Sequence, residues 1–304
     1  MKNLAKNIRM PFLLALTVTS CMSPRNITNT GKVTPRGNFI AGADMSANIP
    51  TQTIGAMKDI VVQTVDDLAN HDTILTSEEL DKVNRAAIAY ALDPLKSGVD
   101  YYVRYGMFKR VDIGFKYTGN CKAFDIQYQM FGSTGNIKDK TKERLYGSIG
   151  IQYSAKKQEL PSLLSKLQDR LGYTFERKDI LIPVIFSLSI GNEEEYGSFS
   201  FGFALSYTNI KYSATPSSIY NFDEKAIMGI KHVRNYLSYG TFVSIKGGYK
   251  FVYIMPSIAL YKQNYGNYQL LSGNSVHLKG WTVVPSIGLK FRIGKGTCKK
   301  KQKL

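Results

Sequence analysis

From Val283 to Ile293 every second residue is apolar: Val283, Pro285, Ile287, Leu289, Phe291 and Ile293, with Ser286, Gly288, Lys290 and Arg292 between them. A period of two over that length defines a strand with one apolar and one polar face. The same alternation recurs over residues 38–46, 99–107, 110–117, 123–131, 145–154, 179–190, 197–208, 236–246 and 249–262. It is cleanest in 197–208, where Phe199, Phe201, Phe203, Leu205 and Tyr207 oppose Ser198, Ser200, Gly202, Ala204 and Ser206. Residues 249–262 are apolar on both faces, so their orientation stays open. No stretch of 18 apolar residues exists, which excludes a transmembrane helix. The other structure that satisfies every backbone group inside a bilayer is a closed barrel. The pattern therefore predicts an all-β fold, a transmembrane antiparallel up-and-down β-barrel of about ten strands. An eight-strand alternative omits 38–46 and runs 99–117 as one long strand.

Composition agrees with strands. The chain has 20 Tyr and 15 Phe against a single Trp, a usage that suits pleated surfaces better than helices. The net charge of +17 invites a nucleic-acid reading. That reading is set aside because Lys and Arg are spread through strands and loops. The one basic run, Lys299-Lys300-Lys301-Gln302-Lys303, reads as a solvated terminus.

The amino terminus is built like an export signal. Lys2, Lys6 and Arg9 form a positive region, and Pro11 to Ser20 a short uncharged apolar one. Val18-Thr19-Ser20-Cys21 resembles the lipobox of bacterial lipoproteins. The resemblance implies cleavage before Cys21 and acylation there, giving a lipid anchor with more than one chain. The domain plan is a signal peptide over 1–20, a lipidated linker over 21–37 and a barrel over 38–304. The remaining cysteines, Cys121 and Cys298, fall at opposite barrel ends, so no bridge is expected between them.

Loop lengths orient the barrel. An even strand number puts both barrel termini on one side, which is periplasmic if the anchor sits in the inner leaflet. The connections 108–109, 132–144, 191–196 and 247–248 then face the periplasm. Those at 47–98, 118–122, 155–178, 209–235 and 263–280 face outward, where barrels keep their longer loops. The 47–98 insertion is helical in period. Ile54, Met57, Ile60, Val61, Val65 and Leu68 predict one helix. Thr76 and Glu79 form a capping box for a second that ends near Asp93-Pro94, with Ala86, Ala87, Ala89, Tyr90 and Leu92 as its apolar stripe. The insertion reads as a helical pair capping the barrel mouth, with partner binding as the alternative. Residues 158–171 carry a further helical pattern.

Arg104-Tyr105-Gly106-Met107-Phe108-Lys109-Arg110-Val111-Asp112-Ile113-Gly114 resembles a periplasmic hairpin motif of bacterial outer-membrane β-barrel proteins. Asp125-Ile126-Gln127-Tyr128 is similar to the stretch that follows it in those proteins, with Gln127 where Lys is frequent. Ser286, Gly288, Phe291 and Ile293 resemble the carboxy-terminal signal read by the barrel assembly machinery, here followed by eleven more residues. The family is one of mostly unknown activity. The resemblance implies the bacterial outer membrane, with membrane lipid and the assembly machinery as partners.

Chemistry is sparse. The histidines are His71, His232 and His277. Ser275-Val276-His277 reverses the His-x-Ser order of barrel lipid hydrolases, so no catalytic residue is assigned. No metal-ligand spacing and no cofactor motif occurs. If the apolar faces meet lipid, Arg104, Arg110, Lys116, Lys246, Lys250, Lys290 and Arg292 point into the lumen against Asp112 and Asp125. Such an excess of base predicts a hydrated, anion-favouring channel or small-solute passage. The alternative is a closed barrel that works as a structural or docking scaffold. A protein partner would then meet loops 47–98, 155–178 and 209–235.

Overall fold

The computed structural model describes residues 25–58, 74–75, 77–119, 121–137, 143–158, 172–215, 220–221 and 229–294. Ten long strands close into one antiparallel barrel. They are β1 (Phe39–Pro50), β3 (Lys96–Phe108), β4 (Val111–Thr118), β5 (Cys121–Phe131) and β6 (Leu145–Gln158), then β7 (Thr174–Ile190), β8 (Gly197–Ala214), β10 (Ile230–Tyr249), β11 (Val252–Gln269) and β12 (Ser275–Ile293). Two short strands, β2 (Ile74–Leu75) and β9 (Tyr220–Asn221), pair parallel outside the ring. Closure is made by β1 against β12, with Phe39 opposite Ile293 and Asp44 opposite Gly288. The other edge of β1 pairs with β3, Phe39 opposite Tyr105. Residues 38–46 thus contribute a strand and the chain turns after Phe108, so ten strands form and the eight-strand alternative does not.

The outward face is the apolar one. Phe203, Leu237, Ile258 and Ile287 are each more than half exposed, while Ser200, Ser206 and Ser244 are buried. Aromatic side chains border the apolar band at both ends, with Tyr101, Tyr117, Tyr153, Tyr207, Tyr239 and Trp281 at one level and Tyr128, Tyr196, Tyr249 and Phe251 at the other. Tyr239 and Tyr249 lie ten residues apart on β10. At about 3.4 Å per residue and a tilt of about 40°, that separation spans roughly 26 Å, the height of a bilayer's apolar core. A closed ring with an apolar belt of this height and a polar interior is a transmembrane barrel of the outer-membrane type.

The strands do not stop at the belt. The alternating pattern ends at Tyr207, yet β8 continues to Ala214, and β10 starts six residues before Tyr236. Outside the bilayer the outward residues become Lys178, Lys211, Lys231, Lys262 and Lys279. Apolar alternation marks only the lipid-facing part of a strand, while the ladder continues wherever backbone pairing does. The wall is consequently tall over β7 to β12 and low over β4 and β5. There a two-residue turn lies just past Tyr117.

Helices α1 (Thr51–Lys58) and α2 (Ser77–Leu92) sit in the tall mouth. Every residue of α2 from Ala86 to Leu92 is buried, packed with Tyr173, Phe175, Tyr212, Tyr236, Tyr265 and Tyr268 from the walls. Alanines let the helix enter a narrow opening that larger side chains would block. The Thr53 hydroxyl donates to the carbonyls of Ala89 (2.9 Å) and Asp93 (2.5 Å), tying the two helices together. Pro94 ends α2, as expected of a residue that disfavours helix before it. The rest of the predicted first helix, Thr76 of the capping box and the pattern over 159–171 lie outside the described residues.

Candidate functional site: the lumen

The segment read from the sequence as a linker lies inside the barrel. Residues 25–34 are buried almost throughout, Arg25, Ile27, Thr28, Val33 and Thr34 each below 4% exposure. This stretch has no alternation of its own and no partner strand. Many of its backbone groups are bonded by wall side chains instead, as buried backbone polar groups need partners. Gln127 donates to the carbonyl of Thr30 (2.7 Å), Lys290 to that of Thr28 (3.0 Å), Ser257 to that of Ile27 (3.2 Å) and Tyr261 to that of Arg25 (2.8 Å). In return the amide of Thr34 donates to Asp112 (2.7 Å), that of Val33 to Gln129 (3.1 Å) and that of Gly31 to Ser187 (3.0 Å). The groups that hold the segment come from β4, β5, β7, β11 and β12, so it is fixed to opposite sides of the ring.

Three layers of charge follow the segment. At the end of the short turns, Lys32 pairs with Glu193 and Lys246 with Glu194. Both acids belong to a 3-10 turn (Asn192–Glu194) that folds in under the barrel. Glu193 and Glu194 take positive φ of 51° and 58° to point there. Burial would raise Glu194, but Lys246, Arg292 and Lys32 hold its carboxyl below the usual range. In the middle, Arg104 bridges two carboxylates, Asp112 at 2.6 Å and Asp125 at 2.5 Å. Near it, Thr28 donates to Asp44 (2.6 Å) and Lys116 to the side chain of Asn26 (3.0 Å). At the tall mouth, Arg25 meets Asp93 at 3.2 Å. Asp93 also accepts from Asn48 (2.6 Å), Gln263 (2.5 Å), Tyr265 (2.9 Å) and Thr282. Burial alone would raise Asp93. Arg25 and Arg177, with the bonds from Thr282 and Asn48, outweigh it and hold the carboxyl below its ordinary value.

The lumen is therefore near charge balance. The bases Arg25, Lys32, Arg104, Lys116, Lys156, Arg177, Lys246, Lys290 and Arg292 stand against Asp44, Asp93, Asp100, Asp112, Asp125, Asp179, Glu193 and Glu194. The sequence-based count of seven bases to two acids missed most of these. Asp44, Asp100 and Asp179 occupy inward positions in their strands, whereas Asp93, Glu193 and Glu194 reach the lumen from a loop and a turn. Two expected lumen bases lie elsewhere. Arg110 stands in the turn after β3 and donates to the carbonyls of Gln129 (3.3 Å) and Met130 (3.2 Å). Lys250, at φ 54°, is exposed in the β10–β11 turn, 3.8 Å from Glu195. A hairpin turn carries its residues out past the wall, and strand parity no longer says which way they point.

One wall of the lumen is apolar. Leu181, Ile185, Ala204, Phe242, Ala259 and Val284 face inward and surround Ile27. This accounts for part of the apolar character of both faces of 249–262: one meets lipid, and on the other Ala259 and Tyr261 pack with Ile27. Away from this wall, a cavity of about 20 Å³ lies in the charged part of the lumen among Thr30, Lys32, Thr34, Arg104, Lys246 and Lys290.

The residues of the expected assembly signal are split by parity. Ser286 and Gly288 face inward, and Phe291 and Ile293 face lipid at the short-turn end. Gly288 lies against Asp44, whose carboxylate would have to move to admit a Cβ there. Likewise a Cβ on Gly106 would strike the carbonyl oxygens of Thr34 and Pro35, so the R-Y-G stretch is small where the inner segment passes. Cys21 and His71 lie outside the described residues. His277 Nδ1 is 2.7 Å from Asn267 Oδ1, and His232 packs against the Tyr212 ring. Among the described residues neither histidine meets a nucleophile and an orienting acid together.

No known family model matches the chain, and no curated protein matches it. Among solved structures it is similar to Neisserial surface protein A, at 8% identity over 83% of this chain and 96% of that one, TM-score 0.32. It is also similar to the outer membrane protein OprG of Pseudomonas aeruginosa, at 8% identity over 86% and 99%, TM-score 0.33. A third is Ail, the attachment invasion locus protein of Yersinia pestis, at 9% identity over 85% and 100%, TM-score 0.31. The chain is an outer-membrane-type β-barrel.

Proposed function

We propose that this protein is a closed outer-membrane barrel that serves as a scaffold, working through its outer end rather than conducting solute. The observation that carries this reading is the segment 25–38, bonded to opposite walls and filling the lumen. The channel reading rests on unpaired basic charge, and the lumen bases have acids and carbonyls beside them. The working surface in this reading is the helical cap with loops 47–98, 155–178 and 209–235, the candidate surface for a protein partner. Membrane lipid and the barrel assembly machinery are its other partners, the latter through Ser286, Gly288, Phe291 and Ile293.

Planar-bilayer recording tests the closed state. The refolded full chain is expected to stay silent at both polarities. A variant lacking residues 25–36 is expected to open, with anions favoured by Lys116 and Lys290 once their partners on the segment, Asn26 and the Thr28 carbonyl, are gone. Steady openings of the full chain would return the channel reading. We further infer that Cys21 carries acyl chains. Palmitate incorporation in the producing bacterium, abolished in Cys21→Ala, is the expected result, and unlabelled wild type would remove the anchor.

A further inference from the structure

The inner segment has a direction. Its carboxy-terminal end is at the short-turn side, where Gly37 donates its amide to the carbonyl of Gly106 (2.8 Å) and Asn38 donates to Asn136 (2.6 Å). Its amino-terminal end is at the tall mouth. The Arg25 carbonyl accepts from Tyr261, a residue adjacent in sequence to Lys262, which pairs with Trp281 of the outer aromatic ring. The Arg25 guanidinium meets Asp93, just beyond the end of α2. The order of contacts between these ends is monotonic: Lys32 with Glu193, Thr30 with Gln127, Thr28 with Asp44, then Arg25 with Asp93. Running backwards from β1, the chain crosses the membrane inside its own barrel.

We propose that residues 25–38 act as an internal membrane-crossing stem that delivers the amino terminus to the outer surface, so that Cys21 lies on the outer side of the membrane. At most about 3.5 Å per residue, the four steps from Arg25 to Cys21 reach roughly 14 Å. That is enough to clear the low wall over β4 and β5, whose turn follows Tyr117 directly. The stem cannot be threaded after closure, since α2 occupies one end and the Asn192–Glu194 turn the other. The barrel must close around it. If Cys21 is acylated, the anchor then belongs to the outer leaflet, and the periplasmic side of the barrel termini rests on the short turns alone and no longer on an inner-leaflet anchor. The proposal rests on the filled lumen but not on acylation, and it is read out by accessibility rather than conductance.

The test is labelling of the full chain in its outer membrane by a membrane-impermeant maleimide. In a background with Cys121→Ser and Cys298→Ser, three variants are compared: Ser23→Cys, Ser272→Cys in the β11–β12 hairpin, and Lys109→Cys in the β3–β4 turn. Only the heat-modifiable, folded band is scored, with the background chain as blank. The expected result is that Ser23→Cys labels in intact cells to within about twofold of Ser272→Cys, while Lys109→Cys labels only after the membrane is opened. Labelling of Ser23→Cys only together with Lys109→Cys would overturn the proposal. So would labelling of Ser23→Cys only after denaturation, because the stem would then end beneath the cap.

Discussion

The two faces of the barrel wall obey different rules. On the outside, Phe199, Phe201, Phe203 and Leu205 need only be apolar, because lipid fits whatever shape they present. On the inside, the neighbouring strands' Arg104, Asp112 and Asp125 form a bidentate network whose members are each bonded to a named partner. The outer face is specified by composition and period. The inner one is specified by complementarity to a segment that is not part of the wall. A substitution outside therefore costs what lipid charges for polarity, while one inside costs what an orphaned partner loses.

Arg104→Met sharpens that contrast most. It leaves Asp112 and Asp125 buried without their cation, and loss of one partner from a buried pair costs about 3–5 kcal/mol. A large fall in the denaturant midpoint of the detergent-folded barrel is expected, and a change below about 1 kcal/mol would mean the network is solvated. Phe203→Arg probes the lipid face at mid-belt, where an outward charge costs about 2–4 kcal/mol in a bilayer. The two should diverge by medium. Moving from bilayer to detergent micelle should relieve Phe203→Arg and leave Arg104→Met nearly unchanged, and equal relief would break the comparison.

A smaller, pH-dependent effect belongs to the cap. Asp93 has its carboxyl held below the ordinary range. A depressed folded-state value adds stability that is present above the unfolded value near 3.9 and is lost as pH falls below it. One such proton gives a slope of at most about 1.4 kcal/mol per pH unit. Urea midpoints measured between pH 3 and 7 should drop on the acid side for the wild type. The drop should be shallower in Asp93→Asn, which is also less stable near neutrality because Arg25 loses its counter-charge. Identical acid slopes in the two proteins would place the titration elsewhere.

The sequence by itself pointed to the ring: about ten lipid-facing stripes with eight as the alternative, their parity outside 249–262, the grouping of short turns at one end and long connections at the other, and a second helix ending before Pro94. All of these follow from local period and turn chemistry, which one strand or helix reports without knowing its neighbours. It understated strand length, since β10 and β12 run past the belt where nothing forces apolar alternation. It placed Arg104, Lys116, Lys246, Lys290 and Arg292 at inward parity, but misplaced Arg110 and Lys250, because turns do not keep parity. Only the tertiary structure decided what the lumen holds. The stem over residues 25–38 has no period, its partners lie up to 262 residues away in the chain, as for Lys290 with Thr28, and a bond between wall and plug leaves no trace in either segment read alone.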